Sequence, residues 1–277
     1  MLSKGARAGF SGRGVSTILA RRYSLTFMRA FFRQPFDDVL ACLGHVMVVR
    51  RPAGSLITFV IGMVLSWIVY VPIHELLHAA GCVASGGRIS ALEISPRYGG
   101  AILERHLDFV VAGGKYAGRL SGFDTRGSDL IYLATDFGPY LLTVLLGVPL
   151  IAACTKKRRP ILFAVASVVG LAPFYNIPGD YFEMGSIVTT RALSLFAEAG
   201  SPIAFEGIRS DDVFSLVANI LTLGVTMGSG GFFACGVLLF LVGVSLTVDV
   251  LLAFLTYAAG RGVANLAMRP TTGAPAA

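Results

Sequence analysis

Long runs of apolar residues alternate with short polar segments along most of this chain. The strongest run covers residues 55–80 and contains LITFVIGMVLSWIVYVPIHELLHAA. Each long run approaches the roughly 20 residues that a helix needs to cross a bilayer. The pattern predicts five or six transmembrane helices, starting from apolar segments at 55–80, 130–154, 161–177, 213–227 and 232–259.

Composition agrees with this interpretation. Hydrophobic residues make up 55% of the 277 residues, charged residues only 14%, and the mean hydropathy is +0.72. Soluble domains average about 45–50% apolar and about 25% charged residues. A soluble globule of this length could not bury so much apolar surface, and a disordered chain would be far more polar. We therefore expect an all-α polytopic membrane protein.

The net charge of +7 would suggest nucleic-acid binding in a soluble protein. Here the cations lie mostly in the N-terminal segment and in short loops, so the positive-inside rule explains them better. The run Lys156–Arg159 places its turn on the cytoplasmic side. We expect a multi-pass protein of the bacterial inner membrane that binds no nucleic acid, although the Arg- and Ser-rich start also suits a mitochondrial transit peptide.

The chain divides into three predicted regions. Residues 1–51 form a basic arm with an interfacial helix at 37–49, and residues 52–190 form the core. Within the core, residues 86–129 form a polar insertion in which alternation over Ile89–Ser95 predicts a β hairpin or small sheet. Residues 191–277 hold the remaining transmembrane helices and a Pro/Thr/Gly/Ala-rich tail, which we expect to be disordered.

Candidate chemistry lies at the end of the first apolar run, in His74-Glu75-Leu76-Leu77-His78. On a helix, positions i and i+4 share a face, so both imidazoles can bind one tetrahedral metal ion. Glu75 can reach a metal-bound water as general base. Polar groups inside an apolar helix cost about 3 kcal/mol each on insertion scales, which makes a functional role the favoured explanation.

A third ligand must come from elsewhere in the chain. The metzincin pattern would need a histidine where Ala84 stands, so that class is excluded. Asp180 follows the helix break at Pro178-Gly179 and should reach the same bilayer depth as His74. This favours Asp180 as ligand over Glu183. Imidazole and carboxylate ligands suit Zn²⁺.

These motifs resemble those of the site-2 protease family of intramembrane zinc metalloproteases. The resemblance rests on His74–His78 and on Asn176-x-Pro178-Gly-Asp180. Gly86-Gly87-Arg88 with the following strand resembles the family's membrane-associated β region, and Asp136-Phe-Gly138-Pro139 its Gly-Pro element. This sequence has Gly-Asp-Tyr where the family usually has Leu-Asp-Gly; a shifted alignment would make Glu183 the third ligand.

The resemblance implies Zn²⁺ bound by His74, His78 and Asp180, with Glu75 as general base. It implies hydrolysis of a peptide bond in or near a transmembrane segment of a membrane protein substrate. The expected partners are that substrate, the lipid bilayer and a regulatory membrane protein. An extended substrate could add as a strand to residues 89–104, which could equally be an ordinary structural hairpin.

Two other functions stay open at the level of sequence. A CaaX-type membrane zinc peptidase would take its third ligand from a later helix, at Glu198 or Glu206. A transporter or scaffold would instead use His74, Glu75, His78 and Asp249 as an ion path. Such a protein should show inverted repeats with broken helices in both halves, and the sequence contains one convincing break.

The remaining polar residues carry weaker expectations. We interpret the four scattered cysteines as small buried hydrophobes and His45 and His106 as surface histidines. Asp136 is either an interfacial acid or an outer partner of a metal-binding imidazole. Asn176 either binds the unwound substrate or caps the helix break.

Overall fold

The computed structural model describes most of the chain. The described residues are 13–48, 52–156, 159–195, 208–210, 213–226 and 228–268. The first twelve residues of the basic arm and the predicted disordered tail at 269–277 lie outside them. So do Lys157, Arg158, Glu198 and Glu206, and with the last two the ligand candidates for a CaaX-type peptidase.

The described chain is mostly helical, as the apolar pattern predicts. Short helical turns at Pro96–Tyr98, Thr143–Gly147 and Ile177–Tyr181 link some of the main elements. The helices are α1 Arg13–Met47, α2 Pro52–Ala84, α3 Gly100–Leu103, α4 Asp129–Phe137, α5 Tyr140–Leu142, α6 Val148–Cys154, α7 Pro160–Gly170, α8 Ala172–Tyr175, α9 Phe182–Ser194, α10 Val213–Thr226 and α11 Gly228–Ala267.

Two of the described helices, α2 and α11, are long and apolar enough to cross a membrane. The segments Asp129–Phe137 and Tyr140–Cys154 would together make a third span, bent by 51°. The predicted count of five or six is not confirmed, because α7 and α10 have only 11 and 14 residues. Large apolar side chains along α2, such as Val60, Val64 and Val69, are exposed, as expected for a helix surrounded by lipid.

The polar insertion folds into a three-stranded sheet, which confirms the predicted small β region. Its strands are β1 (Arg88–Ile94), β2 (Val110–Ala112) and β3 (Gly118–Asp124), in the order β2-β1-β3. The β1 strand pairs parallel to β2 and antiparallel to β3. Leu92, Ile94 and Val110 pack with Ala79 of α2, so the sheet is attached to the helix that carries the histidines.

This topology corrects the expected role of residues 89–104. The β1 strand is the central strand of the sheet, and its residues 92–94 are paired on both sides. Residues 96–98 and 100–103 are helical rather than extended. Most of the stretch 89–104 therefore offers no free edge to an added strand, whereas β3 has one at the side of the sheet.

Helices α2 and α4 approach each other closely beside the sheet. A Cβ atom on Gly81 would lie 2.5 Å from the Ala134 carbonyl oxygen, and one on Gly138 would lie 2.3 Å from the Leu77 carbonyl oxygen. Both contacts are too short for any side chain, so these two glycines permit backbone-to-backbone packing. The carbonyl groups of α4 are thereby brought next to the histidine face of α2.

The other helices pack through apolar side chains. Cys42 and Val46 of α1 pack with Val148 and Ile151 of α6. Helices α9, α10 and α11 share a further apolar cluster. All four cysteines are buried and unbridged, which confirms their interpretation as buried hydrophobes. A hydrogen bond of 2.8 Å from the Tyr257 hydroxyl to Asp38 joins α11 to α1.

Candidate metal centre

His74 and His78 lie one turn apart near the C-terminal end of α2. The helix continues through both residues, so the i, i+4 spacing puts their rings on one face as predicted. Each residue is only 7% exposed. Their Nε2 atoms lie 3.1 Å apart, so both rings present the same nitrogen to the same point.

Asp180 comes to this point from the break between α8 and α9. Gly179 has non-helical backbone angles (φ −116°, ψ −115°), and the chain kinks there. The Asn176 carbonyl closes the kink by accepting the backbone N–H groups of Gly179 and Tyr181 at 3.1 and 3.2 Å. The Oδ2 atom of Asp180 lies 3.0 Å from His74 Nε2 and 3.4 Å from His78 Nε2.

These three donor atoms have the arrangement that a metal ion requires. The group His74, His78 and Asp180 offers two imidazole nitrogens and one carboxylate oxygen within 4.8 Å of one another. Atoms bound at about 2.0–2.2 Å to a tetrahedral ion lie about 3.3–3.6 Å apart, close to the separations here. Among the described residues, this is the group of side chains that could hold a metal ion.

Hydrogen bonds behind the ligands fix which atoms face the centre. The Nδ1 atom of His78 lies 2.9 Å from the Thr135 carbonyl oxygen, which can only accept, so Nδ1 carries the proton. The Nε2 atom of a neutral His78 ring then carries a lone pair, which faces the Asp180 carboxylate. Lone pairs converging without a cation or a proton would repel one another, and a metal ion removes that repulsion.

Two tyrosines complete this outer layer. The Tyr70 hydroxyl lies 2.9 Å from His74 Nδ1, and the Tyr140 hydroxyl donates to Asp180 Oδ2 at 2.6 Å. Such partners orient the ligands of metal sites. Sequence reasoning missed both tyrosines. Tyr70 precedes His74 by four residues on the same helix face and could have been found, whereas no local pattern distinguishes Tyr140.

Asp136 does not have the outer-partner role that the sequence left open. The imidazole partner on α4 is the backbone carbonyl of the preceding residue, Thr135. Asp136 is instead buried, with 4% of its surface exposed, and lines the cavity beside the centre. Its side chain therefore faces the protein interior rather than the surface of the protein.

Glu75 faces a cavity of about 700 Å³ that also contains His78 and Asp180. The start of β3 closes this cavity against Glu75, since a Cβ atom on Gly118 would lie 2.2 Å from Glu75 Cγ. Glycine at position 118 therefore lets the strand lie directly on the carboxylate side chain. The rest of the lining comes from β3, α4, α9, α10 and the segment at 209–210.

The other candidate residues lie apart from the three donor atoms. Glu183 lines the cavity and accepts a hydrogen bond from the Tyr132 hydroxyl, but it does not belong to the metal-binding group. Asp249 belongs neither to that group nor to the cavity lining. His106 is exposed, as predicted, and His45 is half-buried on α1.

Comparison of the chain with protein-family models finds no matching family, and comparisons with curated proteins and with solved structures find no match either. The interpretation of the centre rests on its own residues and their geometry.

Proposed function

We propose that this protein is an intramembrane zinc metalloprotease that hydrolyses a peptide bond in or near a transmembrane segment of another membrane protein. The observation that carries the proposal is the convergence of His74, His78 and Asp180 on one point, next to a cavity that His78, Asp180 and Glu75 line. The donor set of two imidazoles and a carboxylate is typical of zinc sites that keep a position open for catalysis.

The chain's own residues divide the chemistry between them. A zinc ion held by His74, His78 and Asp180 would polarise the scissile carbonyl and acidify a water molecule. Glu75 accepts the proton of that water and returns it to the leaving amine. Tyr70, Tyr140 and the Thr135 carbonyl each form a hydrogen bond to one of the three ligand side chains and so fix its orientation.

Strand β3 is the element that best suits binding of an extended substrate. It is at one edge of the three-stranded sheet, and its residues Gly118–Ser121 line the cavity next to Glu75. A peptide that adds to a sheet edge gains main-chain hydrogen bonds and stays extended. A substrate helix must unwind before hydrolysis, because its carbonyl groups are bonded within the helix. Addition to β3 would stabilise the unwound segment.

The membrane setting follows from the apolar helices α2 and α11 and the cationic run Lys156–Arg159. We propose the bacterial inner membrane as the location, with the substrate entering laterally from the bilayer. We also propose that a second membrane protein binds this protein and regulates its activity.

The decisive experiment separates metal binding from hydrolysis. The Glu75→Gln variant should keep its zinc, because Glu75 is not one of the donor residues, and should lose cleavage of a co-expressed single-span substrate. Zinc content is measured by elemental analysis of the purified protein, and cleavage by the shift of a tagged substrate on a gel. Glu104→Gln, at an exposed acid that does not line the cavity, is the matched control and should behave like the wild type.

Cleavage that persists in Glu75→Gln would refute the proposed role of Glu75. Loss of zinc on substitution of Glu198, with retention after substitution of Asp180, would favour the CaaX-type alternative. Metal-dependent ion flux in proteoliposomes without any cleavage would favour a transporter.

A further inference from the structure

The kink that carries Asp180 is not held by packing at its glycine. Gly179 has non-helical backbone angles, yet a Cβ atom there would have no atom of the described residues within 4 Å. The Asn176 carbonyl binds the N–H groups of Gly179 and Tyr181, which closes the turn but does not attach it to another helix. Contacts at neighbouring residues therefore have to fix the position of the kink relative to the two histidines.

The residue directly after Asp180 makes such a contact with α11. Tyr181 is fully buried, and its hydroxyl donates a hydrogen bond of 2.8 Å to the Thr256 hydroxyl. The Thr256 hydroxyl donates in turn to the Leu252 carbonyl oxygen at 2.9 Å. A carbonyl can only accept and a hydroxyl has one proton, so Thr256 has to accept from Tyr181. The direction of the hydrogen bond between Tyr181 and α11 is thereby fixed.

The ring of Tyr181 also contacts the residue that donates to Asp180. It packs edge-on against the Tyr140 ring, with 4.6 Å between the ring centres and 69° between the ring planes. Tyr140 is fully buried as well, and its hydroxyl donates to Asp180 Oδ2 at 2.6 Å. Tyr181 therefore acts on the carboxylate by two routes, one through the main chain and one through the ring of Tyr140.

The hydroxyl group of Tyr181 is not explained by apolar packing. Phenylalanine would fill the same apolar cluster, which includes Tyr140, Val169 and Ala253 of α11. A buried hydroxyl is destabilising unless it is hydrogen-bonded, so tyrosine at this position needs an acceptor. Thr256 supplies that acceptor. A hydrogen bond sets both a distance and a direction, whereas the hydrophobic effect is non-directional.

We infer that Tyr181 is a positioning residue, anchored to α11 by its hydrogen bond to Thr256, that holds Asp180 in place for binding zinc. This inference rests on the proposed function, of which it takes only the zinc ion bound by the three donor residues. Its consequence is that zinc binding at full strength needs α11, which follows the core predicted at residues 52–190. The two imidazoles are positioned by α2, whereas the carboxylate is positioned from α11.

The first test removes the acceptor and keeps its shape. Thr256→Val retains the β-branched side chain but has no hydroxyl, so Tyr181 loses its hydrogen bond while its ring can still pack. We expect zinc to bind about tenfold more weakly, at the lower end of the effects typical of outer partners, because Thr256 acts through Tyr181. Thr256→Ser keeps the hydroxyl and should bind zinc like the wild type.

The second test removes the donor. Tyr181→Phe should weaken zinc binding by a similar factor, and the double variant with Thr256→Val should bind no more weakly than either single variant, because both remove one hydrogen bond. Competition with a chromogenic chelator in detergent gives the affinities of the full-length protein. Tyr257→Phe is the matched control, since it removes a neighbouring buried hydroxyl of α11 that bonds to Asp38, and it should leave zinc affinity unchanged.

A purely structural role of Tyr181 predicts a different pattern. The variants would then be less stable, but their folded fraction would bind zinc with unchanged affinity. Circular dichroism and gel filtration establish that each variant is folded before its affinity is measured. Cobalt(II) in the same site gives a second readout, because the visible spectrum of that ion depends on the arrangement of its ligands. The spectrum of Thr256→Val should differ from that of the wild type, and the spectrum of Thr256→Ser should not.

Unchanged zinc affinity in both Thr256→Val and Tyr181→Phe would overturn the inference, as would losses that add up in the double variant. An equal loss in Thr256→Ser and Thr256→Val would also overturn it, because the hydroxyl would then not be the group that acts. If Tyr181→Phe does not fold, the two Thr256 variants carry the test. A wild type that binds zinc and shows these affinity ratios but cleaves no substrate would refute the proposed hydrolysis and leave the inference intact.

Discussion

Two acids in this protein, the half-buried Asp180 and the buried Asp249, lie in very different surroundings. Asp180 is contacted by both imidazoles and by the Tyr140 hydroxyl. Asp249, in the middle of α11, is fully buried, and within the described part of the chain neither of its oxygens has a hydrogen-bond partner. The backbone N–H of Gly185 on α9 is near the Asp249 carboxylate, but the contact between them does not have the geometry of a hydrogen bond.

The difference shows that an acid buried in an apolar helix does not by itself identify a candidate metal site. Acids within membrane-spanning helices are functional by default, and Asp249 lies on a helix apolar enough to be one. Only Asp180 meets side chains from other helices whose lone pairs point to one place. Asp249 instead lies against α9, where a Cβ atom on Gly185 would be 1.6 Å from its Oδ1 atom, so it marks a tight helix contact.

The largest expected effect is on metal binding. Asp180→Asn removes a charged ligand and should weaken zinc binding by more than about 100-fold, the upper end of the effects typical of outer partners. Asp249→Asn should leave zinc affinity unchanged. Competition with a chromogenic chelator in detergent measures both constants. Equal losses in the two variants would erase the distinction between the acids.

Packing next to the centre should give the next largest effect. Gly138→Ala places a Cβ atom 2.3 Å from the Leu77 carbonyl oxygen, so α4 must move away from α2. We expect the free energy of unfolding to fall by about 2 kcal/mol, as overpacking typically costs 1–3 kcal/mol. Denaturation in mixed micelles followed by circular dichroism measures the change.

Gly243→Ala is the control for this substitution, because a Cβ atom there has nothing within 4 Å. It should be neutral or slightly stabilising, since alanine favours helix more than glycine does. A Gly138→Ala variant as stable as the control would contradict the close approach of α2 and α4.

The outer hydrogen bonds should give a moderate effect. Tyr140→Phe removes the donor to Asp180 but keeps the ring, and we expect zinc affinity to fall by about 10–100-fold. Tyr257→Phe removes a hydroxyl bonded to Asp38 of α1, away from the three donor residues, and should leave zinc affinity unchanged. The same chelator competition compares the two, and an unchanged affinity in Tyr140→Phe would assign the Tyr140 hydroxyl no part in orienting the ligand.

The smallest effect concerns Asp249 itself. Asp249→Asn replaces an unpaired buried carboxylate by a neutral amide of the same shape, and a neutral group costs less to bury than a charge. We expect a gain of about 1 kcal/mol or less in the free energy of unfolding. A strong loss of stability would indicate that Asp249 has a partner and would make the two acids alike.

Much of the centre could be predicted from the sequence, because its strongest features are local. The spacing of His74 and His78 places both rings on one face of any helix. Pro178-Gly179 predicts a break, and equal bilayer depth pairs Asp180 with His74. The alternation over residues 89–95 likewise predicts β1, because a strand has period two wherever it is found.

Other features could not be predicted, because they depend on which elements lie side by side. The number of transmembrane helices is the first such feature. A 14-residue helix such as α10 has the composition of a transmembrane helix but is too short to cross a bilayer. The position of β1 at the centre of the sheet is another, because strand order is set by pairing with β2 and β3 at distant positions. For this reason the sequence could not decide between a substrate-accepting strand and an ordinary structural element at residues 89–104.

The sequence alone determined which residues are costly to place in a membrane and which of them share a helix face, because hydropathy and helical period are properties of neighbouring residues. Only the tertiary structure decided which of those residues meet. The approach of α2 and α4 at Gly81 and Gly138 turns a backbone carbonyl, rather than Asp136, toward His78. The Oδ2 atom of Asp136 is left without a hydrogen-bond partner among the described residues. No local pattern records such an outcome, because a contact between distant segments depends on how they pack.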